Sequence, residues 1–130
     1  MNPTPFFSII VPIYNRPDEA RELLESLAAQ TDRDFELVLV EDGSTRPCAA
    51  EVEAFRSRLT IHYIVKPNTG RSDSRNVGMR ASHGAYLIFF DSDCIIPPDY
   101  FATVRRYLAT EPADCFGGPD REHPSFTPTQ

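Results

Sequence analysis

The sequence predicts an α/β protein built on a mostly parallel sheet flanked by helices, and three observations carry that prediction. Short, nearly continuous apolar runs recur along its 130 residues, the pattern of strands covered on both faces. Between them lie stretches whose apolar residues repeat at helical spacing. Three of the runs end abruptly in polar residues: Tyr14-Asn15, Asp42-Gly43 and Asp91-Ser92-Asp93. Strands alternating with helices build a parallel sheet, and such sheets bind ligands outside the carboxyl ends of their strands. The three polar clusters therefore belong on one rim.

The elements follow in order. Residues 1–5 are a short lead-in with two prolines. Phe6-Phe7-Ser8-Ile9-Ile10-Val11 reads as a strand ended by Pro12. A helix starts near Pro17, because proline suits a first helical position and Asp18-Glu19 suit its positive end. Leu23, Leu24, Leu27 and Ala28 give that helix its buried face. Residues 35–40 form a second strand, closed by Glu41-Asp42-Gly43-Ser44, and a poorer helix follows over 49–58. Residues 61–65 form a third strand. After the loop 67–70, residues 71–81 form a short helix carrying Arg71, Arg75 and Arg80. Residues 85–90 are a fourth, aromatic-rich strand. Pro97-Pro98-Asp99 opens a helix to about residue 110 with Phe101, Val104, Tyr107 and Leu108 on its apolar face. Residues 113–116 read as one more strand, and 117–130 hold three prolines and no periodicity.

Bulk properties narrow the function. A hydrophobic content of 41% and a charged content of 25% are globular values. The net charge of −6 argues against nucleic acid as a partner, since no basic stripe is present to displace counterions. Twelve arginines against one lysine favour bidentate contacts to phosphate or carboxylate. Cys48, Cys94 and Cys115 are odd in number and widely spaced, as expected of reduced thiols. No signal peptide is visible, and no apolar run is long enough to cross a bilayer. The expectation is a cytoplasmic chain without a membrane segment of its own, held at the inner face of a membrane only if an anchor lies beyond Gln130.

The chemistry centres on Phe89-Phe90-Asp91-Ser92-Asp93. If the strand stays extended, Asp91 and Asp93 point the same way and repel, so a cation belongs between or beside them. A hard divalent ion fits oxygen ligands of this kind. Arg71 and Arg75 stand near a helix start, where free N–H groups already favour anions.

Four stretches, in this order and spacing, resemble the nucleotide-binding part of family 2 glycosyltransferases of the Rossmann-like GT-A fold. They are Val11-Pro12-Ile13-Tyr14-Asn15, Glu41-Asp42-Gly43-Ser44, Gly70-Arg71-Ser72 with Ser74-Arg75-Asn76-Val77-Gly78, and Phe89-Phe90-Asp91-Ser92-Asp93. The resemblance covers most of residues 6–116. It implies transfer of a sugar from a nucleotide diphosphate donor, a UDP-sugar first, to a hydroxyl of a glycan, lipid or protein acceptor. Mg²⁺ or Mn²⁺ and inversion at the anomeric carbon are implied with it. Pro12 then shapes the loop carrying Tyr14, whose ring stacks on the base, and Asn15 belongs to the same donor-binding motif. Asp42 accepts a base N–H, and Arg71 and Arg75 clamp the diphosphate. Asp93 ligates the metal, and Asp91 contacts the ribose or the metal through water.

The same resemblance places the general base of an inverting transfer well downstream of this motif, beyond Gln130. Residues 6–116 are thus expected to hold the donor-binding part, and 117–130 to lead into an acceptor half. Asp99, Asp114, Asp120 and Glu122 read as capping and surface charges. Two rivals stand beside this reading. A non-catalytic nucleotide-sugar-binding module would carry the same donor motifs. A haloacid-dehalogenase-like phosphohydrolase also follows an apolar strand with Asp-x-Asp, but on its first strand, whereas three strands precede it here. His62, His83 and His123 are scattered over strand, turn and tail, and predict no metal cluster.

Overall fold

The computed structural model describes residues 5–110 and 116–117. The elements alternate as β1 (Phe7–Ile13), α1 (Pro17–Ala28), β2 (Phe35–Asp42), α2 (Ala49–Phe55), β3 (Ile61–Lys66), α3 (Arg71–Ala81), β4 (Tyr86–Phe89), α4 (Tyr100–Thr110) and the two-residue β5 (Phe116–Gly117). The strands form one sheet in the order β3-β2-β1-β4-β5, with every pairing parallel. The chain thus steps outward from β1 to β3, then crosses back to place β4 on the other side of β1. That reversal opens a crevice beyond the carboxyl ends of β1 and β4.

Side-chain alternation divides the core between the two faces. Phe7, Ile9, Val11 and Ile13 of β1 and Phe35, Leu37 and Leu39 of β2 meet Leu23, Leu24 and Leu27 of α1, Val52 and Phe55 of α2, and Phe101, Val104 and Leu108 of α4. The opposite set, Ile10, Val38 and Val40, is covered by Val77 and Ala81 of α3 with Leu87 and Phe89 of β4. Among the described residues, helix α3 is therefore the one helix packed on that face, and it runs along the strands from one rim of the sheet to the other.

Both α1 and α3 begin where their punctuating residues place them. Pro17 opens α1 with Asp18 and Glu19 in its first turn, and Gly70 at φ 107° precedes α3. Two expectations are corrected. Strand β1 runs through Pro12 to Ile13 rather than ending at Pro12. Ile10 already accepts the last bond from the β4 side, from Phe90 N at 3.1 Å. Pro12, two residues on, turns its ring toward the side where β4 has ended, so the missing N–H removes no ladder bond. Helix α2 stops at Phe55 rather than 58, and residues 56–58 form turns. The strand expected over 113–116 overlaps β5 only at Phe116, and 113–115 lie outside the described residues.

After Asp93 the chain is anchored by the buried amide of Gln30 and by Thr31 N, which donates to Pro98 O at 2.9 Å. Gln30, at the end of α1, donates through Nε2 to Pro97 O at 2.6 Å and accepts from Phe101 N at 3.4 Å. This docks the start of α4 so that Phe101 enters a ring cluster, 4.9 Å from Phe35 and 5.4 Å from Phe7 between centroids. Among the described residues no helix is long and apolar enough to cross a membrane. Phe101 is fully buried, so Phe101→Ala should cost about 3–5 kcal/mol of stability through lost burial and the cavity left behind. Urea denaturation of the variant checks this figure.

Candidate functional site: a cleft at the carboxyl rim

A cleft of about 410 Å³ opens at the carboxyl rim, lined by Pro12, Ile13, Tyr14, Arg16, Glu19, Asp42, Arg71, Asp91, Ser92 and Asp93. The three strand-end clusters do meet there. Tyr14 follows β1 and stands 49% exposed, so its ring is open to a stacking partner. Asn15 follows at φ 53° and does not line the cleft. Its backbone N–H donates to Ser44 Oγ at 2.7 Å, and its Oδ1 accepts from Arg46 N at 2.9 Å. Asn15 thus clips the β1 loop to the β2 loop and so holds Tyr14 in place.

Strand β2 ends in two buried carboxylates that face opposite sides of the sheet. Glu41, 1% exposed, turns toward α2 and accepts from Cys48 N at 2.9 Å, from the Tyr63 hydroxyl at 2.6 Å and from Ser44 Oγ. Burial, together with the Glu41 charge, pushes the Cys48 thiol up to about 12, so it stays protonated and unreactive. Asp42 turns toward α3. Its Oδ1 accepts from Lys66 Nζ at 2.6 Å and Thr69 N at 2.9 Å, and its Oδ2 from Gly70 N at 3.1 Å. Two carboxylate oxygens offer about four acceptor sites, so one remains for a ligand. Gly43 then turns the chain at φ 68°, where a Cβ would lie 2.4 Å from Asn68 N, and only glycine fits.

The Asp42 bonds also fix the start of α3. Gly70 precedes Arg71, which reaches the cleft from the first helical position. Arg75, one turn on, is not part of the lining. Its Nη2 stands 3.5 Å from Asp91 Oδ1, and its Nε is buried without a hydrogen-bond partner.

The Asp91–Asp93 segment is corrected in one respect. The backbone does not stay extended past β4, which ends at Phe89. Residues 91–94 instead close a turn in which Cys94 N donates to Asp91 O at 3.2 Å. Both carboxylates still face the cleft, brought there by the turn rather than by strand periodicity. Ser92 Oγ donates to Glu19 Oε1 at 2.8 Å, tying the turn to the first turn of α1. The sequence analysis singled out neither Glu19 nor Arg16 as a site residue. Their signal was available, because a first helical turn directly after a strand end must border the same rim.

Two of the histidines are closer in space than their scatter along the sequence suggests. His62 and His83 do come together, around Glu36, at the far end of the sheet from the cleft. His123 lies outside the described residues, as do Cys115, Asp114, Asp120 and Glu122.

A strand-switch crevice, an acidic turn after β4 and an arginine at a helix start define a GT-A type domain, and comparison with known proteins agrees. The sequence model described as "Glycosyl transferase family 2" matches residues 8–126. A protein named as an uncharacterized glycosyltransferase of Rickettsia felis is 36% identical over 101 residues, covering 78% of this chain and 17% of that protein. The crystal structure of S. aureus TarS 1–349 superposes with a TM-score of 0.77 at 33% identity, over 81% of this chain and 32% of that one. The same TarS piece has been solved in complex with UDP and with UDP-GlcNAc. The mannosyltransferase PcManGT of Pyrobaculum calidifontis, in complex with GDP-Man and Mn²⁺, gives 0.74 at 25% identity, over 83% and 33%. The chain belongs to glycosyl transferase family 2. It spans about a sixth of the length of the Rickettsia relative and about a third of the TarS chain.

The Asp42 cluster makes stability depend on acid. Burial alone would raise the Asp42 carboxyl, but the Lys66 ammonium and the Thr69 and Gly70 N–H groups outweigh it and hold it below its ordinary range. Its folded value is therefore lower than its unfolded value, which is roughly 4. The contribution is complete above that pH and lost as pH falls through the folded value. Asp42→Asn should flatten the acid limb of a stability–pH curve below about pH 4, measured by urea denaturation from pH 7 to 2.5.

Proposed function

We propose that this chain is the donor-binding part of a metal-assisted, inverting glycosyltransferase that takes a nucleotide diphosphate-sugar, with a UDP-sugar favoured. One observation carries the reading: residues from the ends of β1 and β2, from the start of α3 and from the turn after β4 converge on a single cleft. Tyr14 supplies a flat face for the base, and the remaining acceptor site of Asp42 reads an N–H on the base edge. Arg71 meets diphosphate oxygens where the first N–H groups of α3 add favourable polarity. Arg75 steadies Asp91 at 3.5 Å and can exchange that loose contact for a donor oxygen. The TarS complexes with UDP and UDP-GlcNAc support the choice of donor class.

The donor set suits a hard divalent ion. Asp91 and Asp93 lie on one tight turn, with the Ser92 hydroxyl and the Glu19 carboxylate beside them, and all four are oxygen donors. Asp93, with Asp91 directly or through water, would hold Mg²⁺ or Mn²⁺, ions that accept a few carboxylates and complete their shell with phosphate oxygens and water. When bound, the ion supplies Lewis-acid stabilisation of the negative charge growing on the leaving nucleotide. The acceptor, a glycan, lipid or protein, and the general base that deprotonates its hydroxyl are assigned to sequence outside the third that this chain shares with TarS. On its own the chain is proposed to bind donor and to transfer sugar poorly or not at all.

Calorimetry with UDP-, GDP- and dTDP-sugars in the presence of Mn²⁺ tests this. At least one donor should bind, Asp93→Ala should weaken it tenfold or more, about 1.4 kcal/mol, and Tyr14→Ala should cost about 1–3 kcal/mol of stacking. Absence of binding across the panel, or an Asp93→Ala variant that binds as well as the parent, contradicts the proposal.

A further inference from the structure

We propose that Glu36, His62 and His83 form a second metal site, independent of the donor cleft and suited to Zn²⁺ or a similar imidazole-preferring divalent ion. Glu36, which starts the α3-facing side of β2, is 2% exposed. Along that face Glu36 and Asp42 are six residues apart, roughly 20 Å of extended strand, so the two sites occupy opposite rims. None of the three residues lines the cleft.

The bonding around Glu36 divides its two oxygens by task. Oε2 accepts from Ser8 Oγ at 2.6 Å and from His83 N at 2.6 Å. Ser8 Oγ in turn accepts from Gly84 N at 2.7 Å, and a Cβ on Gly84 would fall 2.6 Å from that hydroxyl, so the chain closes tightly around it. Oε2 is therefore held by neutral donors fixed to the backbone. Among the described residues Oε1 meets two imidazoles: His62 Nε2 at 2.8 Å and His83 Nδ1 at 3.3 Å. All three potential ligand atoms lie within 4.8 Å of one another. A tetrahedral zinc ion with bonds of about 2.1 Å holds its ligand atoms roughly 3.4 Å apart. The His62 and His83 side chains are 40% and 65% exposed, so solvent-side space is available for the small rotations that reach that spacing.

Two imidazoles and one carboxylate, with the fourth position open to water, are a common zinc set. The carboxylate already carries the outer hydrogen bonds that orient a ligand. The all-oxygen Asp91–Asp93 turn favours Mg²⁺ or Mn²⁺ instead, so ligand chemistry separates the two sites. The bound ion would join β2, β3 and the loop between α3 and β4, which makes its effect structural.

The test uses the whole chain and Zn²⁺ alone, without nucleotide. Calorimetry should show one site, Zn²⁺ at a hundredfold excess over Kd should raise Tm by about 5–10 °C, and Co²⁺ should give the visible absorption of a tetrahedral complex. His83→Ala, at an exposed position, should weaken binding at least tenfold, and the His62→Ala/His83→Ala double variant should abolish the Tm shift. Asp93→Ala should leave Zn²⁺ binding unchanged. The proposal is overturned if the parent chain binds no Zn²⁺, if the double variant binds it equally well, or if Asp93→Ala removes it. The first of these results would leave the donor site untouched, so the two proposals fail separately.

Discussion

Adjacent buried carboxylates at the end of β2, Glu41 and Asp42, impose the constraint around which the carboxyl rim is built. A buried carboxylate without donors is costly, so each must gather its own partners. Strand alternation sends them to opposite faces, and each face responds differently. On one, Glu41 collects the Ser44 hydroxyl, the Cys48 N–H and the Tyr63 hydroxyl, which fixes the loop into α2 and through Ser44 the backbone at Asn15. On the other, Asp42 collects Lys66, Thr69 and Gly70, which fixes the entry to α3. The base-facing loop and the phosphate-facing helix of the proposed donor cleft are thus set by two neighbouring side chains.

Helix α3 carries that constraint across the molecule. Its entry at Thr69 and Gly70 is bonded to Asp42 and its exit is the 82–84 turn, whose His83 N–H returns to Glu36 on the same face of β2. Glu36 and Asp42 act as two fixed points, with the apolar patch of Ile10, Val38 and Val40 between them under the helix. The carboxylates differ in company. Asp42 is met by an ammonium and backbone amides, Glu36 by hydroxyl, amide and imidazoles, and the two proposals for the opposite rims rest on that difference.

Much of the frame was legible in the chain because local chemistry and tertiary structure agree there. Pro17 with Asp18 and Glu19 marks a helix start in any context, and the apolar runs at 35–40 and 86–89 have few alternatives to a buried parallel strand. The strand-end clusters were legible for the same reason, since a parallel sheet gathers them on one rim. What escaped depended on register or on local turns. Pro12 looks like a strand stop until the sheet shows that β4 has already ended beside it. The Asp91 and Asp93 side chains reach a common cleft through a turn that period-two reasoning does not describe. His62 and His83 are 26 and 47 positions from Glu36 along the chain, and only the pairing of β1, β2 and β3 with the closing of the 82–84 turn unites them.

The proposed function reduces to one physical statement: a donor-associated divalent ion would be held at the 91–94 turn, on the carboxyl rim. Paramagnetic broadening by Mn²⁺ in the presence of UDP, mapped on the backbone amide resonances, locates that ion directly. The account predicts selective loss of signal at residues 91–94, at Tyr14 and around Asp42–Gly43, with Glu36, His62 and His83 little affected. Broadening centred on Glu36, His62 and His83, or no selective broadening at the 91–94 turn, would contradict it.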